Sequence, residues 1–117
     1  MDKKRVLVVD DEEEFCKFLS DYLKERNCAV ETAYGGMRAK DLLEKNKYDY
    51  IFFDCNMPEL TGVELLKVIK ERNPEAKKVM VSAYQLIEEG FAKDLGADIF
   101  LTKPVSLEAI KEIVENG

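Results

Sequence analysis

Four short stretches of this 117-residue chain hold the side chains that could do chemistry together: Asp10-Asp11-Glu12, Asp54-Cys55-Asn56-Met57-Pro58, Ser82-Ala83 and Lys103-Pro104. Carboxylate and carbonyl oxygens suit a hard cation such as Mg²⁺, which takes few protein ligands and keeps several waters. Three carboxylates close together repel one another, so such a site calls for a metal and for the Lys103 ammonium. An ionised carboxylate is also a nucleophile that can become an acyl phosphate. Transfer then needs donors aimed at the phosphoryl oxygens, and Mg²⁺, Lys103, Ser82 and nearby backbone N–H groups would supply them. A nucleophile that is already ionised needs no general base.

Composition removes several other chemistries. The chain has no His, which excludes Ser–His and Cys–His catalysis and His-ligated metals. Its three cysteines, Cys16, Cys28 and Cys55, form no CxxC pair, so a disulfide framework or thiolate zinc site is not expected. Cys55 adjoins Asp54 without an activating base in sequence and reads as a bystander. Free thiols and a start with only four consecutive apolar residues, Val6 to Val9, point to the cytoplasm without a signal peptide or membrane span. Eighteen basic against 24 acidic residues give a net charge of −6, which disfavours direct contact with nucleic acid or an anionic membrane.

Each reactive stretch follows an apolar run, and those runs must position it. Val6-Leu7-Val8-Val9, Ile51-Phe52-Phe53 and Val79-Met80-Val81 have the composition of strands buried on both faces. Ala29–Thr32 and Ile99–Thr102 are weaker strand candidates. Between them lie amphipathic helices. Phe15, Phe18, Leu19, Tyr22 and Leu23 mark the first, with Glu12, Glu13 and Glu14 at its positive end and Asn27 as its stop. Ala39, Leu42 and Leu43 mark the second, entered through Gly35-Gly36; Leu65, Leu66 and Ile69 the third, ending before Asn73-Pro74. A fourth is predicted from Ile87 to Leu95, closed by Gly96, and the last starts after Ser106 and uses Leu107, Ile110, Ile113 and Val114. Strand and helix alternate five times, which implies one α/β domain over residues 1–117. The expected form is a flavodoxin-like three-layer (βα)5 sandwich whose parallel sheet has the order 2-1-3-4-5. Ligands of such sheets bind beyond the carboxyl ends of the strands, where all four reactive stretches fall.

Taken together, Val8-Val9-Asp10-Asp11-Glu12, Asp54 with Met57-Pro58, Ser82-Ala83 and Thr102-Lys103-Pro104 resemble the signature of response-regulator receiver domains, with Gly62 and Gly96-Ala97 in register. The resemblance implies that Asp54 is a phosphoacceptor and that Asp11 binds Mg²⁺ (or Mn²⁺) directly. Asp10 would assist through water, and Asp54 and the backbone carbonyl of Asn56 would complete the ligands. Lys103 would pair with Asp54 and then with its phosphate, which Ser82 and the Ala83 amide would also bind. Ser82 and Phe100 would form the switch, although Phe100 read alone could equally be a packing aromatic. Asn56 and Tyr84 would tune phosphate lifetime, and the bond before Pro104 would be cis. The implied partners are a sensor histidine kinase or phosphotransfer protein, and an effector or second copy docking on the face of helix 4, strand 5 and helix 5. The implied catalysis is confined to the domain's own phosphorylation and dephosphorylation.

Two other classes share parts of this pattern. An aspartyl-phosphate hydrolase of the haloacid-dehalogenase type needs a second Asp two residues after the nucleophile, where this chain has Asn56. A flavodoxin-like cofactor binder needs a phosphate loop after the first strand, where Asp10-Asp11-Glu12 would repel the anion.

Overall fold

The computed structural model describes residues 3–55, 57, 59–83, 94 and 96–116. The apolar runs form five strands: β1 (Lys4–Val9), β2 (Cys28–Ala33), β3 (Tyr50–Asp54), β4 (Lys77–Ser82) and β5 (Ile99–Thr102). All pair in parallel, in the order β2-β1-β3-β4-β5. The described helices are α1 (Glu13–Glu25), α2 (Gly36–Lys45), α3 (Gly62–Arg72) and α4 (Leu107–Asn116). The fourth predicted helix, 87–95, lies outside the described residues apart from Asp94, which is helical. Among the described residues no helix is long and apolar enough to cross a membrane.

Side-chain alternation along the strands divides the core into two layers. Val6, Val8, Tyr50, Phe52, Val79 and Val81 face Cys16, Leu19 and Leu23 of α1 and Ile110, Ile113 and Val114 of α4. Leu7, Val9, Ile51, Phe53 and Met80 face Ala39, Leu42 and Leu43 of α2 and Leu65, Leu66 and Ile69 of α3. Because helices cover both faces, β1, β3 and β4 need apolar residues at nearly every position. The edge strand β5 is only half-buried.

Two sequence expectations change. Phe18 was placed on the buried face of α1 but is 47% exposed, and Cys16 is buried in the core instead. Phe18 stands two positions from Cys16, which on a helix turns it away from the sheet. The second strand runs Cys28–Ala33, longer at both ends than Ala29–Thr32, because the pairing with β1 extends from Lys4 through Val9.

The helix ends follow from local chemistry. Asn27 adopts φ +65° just past α1, the left-handed stop that Asn tolerates. The Thr61 hydroxyl accepts from the Glu64 N–H at 3.2 Å while Glu64 accepts from the Thr61 N–H at 3.0 Å, a reciprocal cap on α3. Ser106 accepts from the Ala109 N–H at 3.3 Å and starts α4. With all strands parallel, Asp10, Asp54, Ser82 and Lys103 emerge at one edge of the sheet.

Candidate functional site

Asp10 leaves β1 in an extended path, its N–H donating to the Ala33 carbonyl at 3.0 Å. Its Oδ1 accepts from the Glu12 N–H at 2.9 Å, so Asp10 turns the chain into α1, where Glu12 itself makes no side-chain cap. The side chain is 1% exposed. Its Oδ2 lies 2.8 Å from the Lys103 ammonium, an ion pair. Burial raises the Asp10 pKa, against the opposing pull of Lys103 and the Glu12 N–H.

Asp54 ends β3 beside Val81 of β4 and is nearly buried. The next residue is fixed from two sides: the Cys55 N–H donates to Val81 at 3.2 Å, and the Cys55 carbonyl accepts from the Gly62 N–H at 2.9 Å. A Cβ on Gly62 would lie 2.8 Å from Cys55 Cα and 2.9 Å from the Asp54 carbonyl oxygen. Only glycine lets α3 begin this close to the backbone beneath Asp54.

Asp10, Asp11 and Asp54 each offer one carboxylate oxygen, and these three oxygens lie within 4.8 Å of one another. Asp10 and Asp54 are buried while Asp11 is exposed, so the cluster opens to solvent on one side. An all-oxygen set containing a buried carboxylate oxygen without a directed hydrogen bond fits a hard divalent cation. Asn56, whose carbonyl was expected to join it, lies outside the described residues, as does Tyr84.

Lys103 arrives from β5, its N–H donating to the Ser82 carbonyl at 2.8 Å, and the Lys103–Pro104 peptide is cis. The expected partner of its ammonium was Asp54. The contacts instead run to Asp10 and to Glu12, whose Oε1 is 2.5 Å away, while Asp54 acts through its charge. The ammonium also lies 4.6 Å from the centre of the Phe15 ring. Burial works against the charged form, but the contacts with the Asp10 and Glu12 carboxylates outweigh it, and the Lys103 pKa is raised.

Ser82 is fully buried at the end of β4, opposite Thr102, and Ala83 is exposed just beyond it. Phe100 pairs with Met80 and packs, half-buried, against the core layer under α2 and α3. Strand alternation puts Ser82 and Phe100 on the same sheet face, one diagonal step apart. Cys16, beneath Asp10, has its thiol pKa pushed up to about 12, first by burial and then by the Asp10 charge, which leaves it inert. Cys55 is half-buried, with its sulfur 3.6 Å from that of Met80.

Two contributors were not identified from the sequence as parts of the site: Phe15 read as core and Gly62 only as a family mark. Glu12 stood in the reactive stretch but without a role toward Lys103. The signal for Gly62 was a glycine opening a helix inside Thr61-Gly62-Val63-Glu64. No pattern in the sequence pointed to the contacts of Glu12 and Phe15 with Lys103, because they depend on how the loops after β1 and β5 meet.

A family model for the response regulator receiver domain matches residues 6–115. The response regulator protein PilR of Pseudomonas aeruginosa is 30% identical over 97% of this chain, which spans 26% of PilR. The chain therefore covers about a quarter of that relative's length. A response regulator protein from Burkholderia pseudomallei, solved with a phosphorylated aspartic acid, calcium ion and citrate, superposes with a TM-score of 0.89 at 29% identity. That match covers 97% of this chain and 68% of the other. The response regulator TrrA of Thermotoga maritima, in complex with Mg²⁺ and BeF, gives a TM-score of 0.85 at 29% identity, covering 96% of each chain. With the fold, the strand-end site and the matched residues in agreement, this chain belongs to the response regulator receiver domain family of two-component systems.

Proposed function

We propose that this receiver domain takes a phosphoryl group onto Asp54. The observation that carries the reading is the cluster itself: oxygens of Asp10, Asp11 and Asp54 within 4.8 Å, with the Lys103 ammonium 2.8 Å from Asp10. An Asp54 carboxylate oxygen forms the new bond to phosphorus. The bond from phosphorus to the donor's leaving group breaks, its electron pair departing with that group. Asp10, Asp11, Asp54 and the Asn56 carbonyl would hold Mg²⁺, with Mn²⁺ as a substitute. The ion supplies positive charge for the phosphoryl oxygens. Lys103 leaves its carboxylate partners for the phosphate, and Ser82 and the Ala83 amide bind its remaining oxygens. As Ser82 moves, Phe100 on the same sheet face turns inward, and Asn56 and Tyr84 set how readily water reaches the phosphate.

The donor is a sensor histidine kinase or a phosphotransfer protein in the cytoplasm. The chain's only catalysis is on its own aspartate. Residues 1–117 act as one receiver domain, and the face of β5, α4 and residues 87–95 docks an effector or a second copy. Nucleic acid and membrane are not contacted directly, in keeping with the net charge of −6. The phosphorylated aspartate and the Mg²⁺–BeF complex of the related structures support this reading.

Intact-mass spectrometry after incubation with acetyl phosphate tests it. One phosphoryl group is expected on the wild type with Mg²⁺, with none in EDTA and none on Asp54→Asn. An adduct of equal yield on Asp54→Asn would overturn the assignment.

A further inference from the structure

Among the described residues, Glu12 is a carboxylate contact of Lys103 to which the proposed phosphorylation gives no role. It is well exposed, yet its Oε1 is 2.5 Å from an ammonium whose side chain is only 15% exposed. Glu12 shares that ammonium with Asp10, at 2.8 Å. The Phe15 ring, 4.6 Å from the nitrogen, supports it from the α1 side. Glu12, Phe15 and Lys103 line one cavity of about 390 Å³ with Phe18, Pro104 and Val105, where α1 meets the segment after β5. Glu12 is not among the clustered carboxylates of Asp10, Asp11 and Asp54.

We infer that Glu12 is a positioning residue that restrains Lys103 in the resting domain and slows phosphorylation of Asp54. The inference rests on Asp54 being the phosphoacceptor. An interaction present before transfer and lost in the transition state raises the barrier. The Glu12–Lys103 pair has this character, because the ammonium must leave Glu12 to meet the charge developing on the phosphoryl oxygens. With a small acyl phosphate as donor, the phosphorus–oxygen bond to Asp54 forms as the bond to the carboxylate leaving group breaks. Glu12 takes no part in either bond.

Phosphorylation of the intact chain by acetyl phosphate, with saturating Mg²⁺ and varied donor, tests the inference. Glu12→Gln should raise the maximal rate about two- to fivefold at low salt, the range expected for releasing an exposed ion pair. The donor concentration at half-maximal rate should be unchanged. The gain should shrink in high salt, which screens the pair in the wild type. Glu13→Gln removes the same charge from the adjacent exposed position and serves as the control. In ¹⁵N spectra of the side-chain ammonium groups, only Glu12→Gln should move the Lys103 signal. An unchanged maximal rate in Glu12→Gln overturns the inference and leaves the Asp54 assignment standing. So does an equal gain in Glu13→Gln, or a gain confined to the half-maximal donor concentration, because either would mean general attraction of the anionic donor. A wild type that takes no phosphoryl group at Asp54 removes the underlying reading and the inference with it.

Discussion

Asp10 is almost fully buried, and its pKa is raised above the ordinary 3.8 because burial outweighs the Lys103 and Glu12 contacts. A raised carboxylate pKa means that the fold prefers the protonated form. The resulting stability is present below 3.8 and is lost as the pH rises through the folded value, so at neutral pH the charge destabilises the fold. Asp10→Asn should therefore stabilise the metal-free domain at pH 7 by on the order of 1 kcal/mol. Urea denaturation in EDTA checks this, and the advantage over wild type should narrow at acid pH, where Asp10 protonates. A less stable mutant at neutral pH would show that Asp10 is retained for its pair with Lys103. Gly62 makes the opposite case. A Cβ there meets backbone atoms at 2.8 and 2.9 Å, so Gly62→Ala must displace either α3 or the Asp54–Cys55 backbone. Such overpacking costs about 1–3 kcal/mol. The melting temperature and the phosphorylation yield should fall together, and a mutant keeping both would show that the loop absorbs the methyl group freely.

At the scale of elements, β1, β3 and β4 were legible because strands buried on both faces leave no polar interruption. β2 and β5 showed less because they are edges with half-buried positions. The site residues were legible for a related reason. A parallel sheet brings every strand exit to one edge, so locating the strands also located Asp10, Asp54, Ser82 and Lys103. What chain order could not supply was the side-chain geometry between loops. It missed Glu12 drawing the Lys103 ammonium, Phe18 turned to solvent, and the backbone contact at Gly62. The cap of α3 is legible in Thr61-Gly62-Val63-Glu64, a Thr followed three residues later by a Glu. Thr61→Ala should cost about 1 kcal/mol by loss of this cap, measurable in urea. The Glu64 pKa is lowered, chiefly by its bond from the Thr61 N–H. A lowered carboxylate pKa gives stability that is present above the ordinary value and lost as the pH falls through the folded one. The stability difference between Glu64→Gln and wild type should accordingly shrink in acid, and a difference that does not change with pH would contradict the charged cap.

At the scale of the whole molecule, the sheet separates two tasks. Its apolar layers give a rigid frame, while its carboxyl edge gathers Asp10, Asp11, Asp54 and Lys103, whose charges balance only in part. A divalent cation would complete that balance, which links ligand binding to the state of the fold. The β4–β5 pairs Met80–Phe100 and Ser82–Thr102 offer a path from the site to the half-buried edge strand. The central claim is that Asp54, among the carboxylates of this edge, forms the bond to phosphorus. Borohydride trapping followed by peptide mapping measures this most directly, because it reduces an acyl phosphate to an alcohol and marks the residue that carried it. After treatment with acetyl phosphate and Mg²⁺, homoserine is expected at position 54 and at neither 10 nor 11. Homoserine at position 10 or 11, or an unreduced Asp54 in protein that has gained a phosphoryl group, would contradict the account.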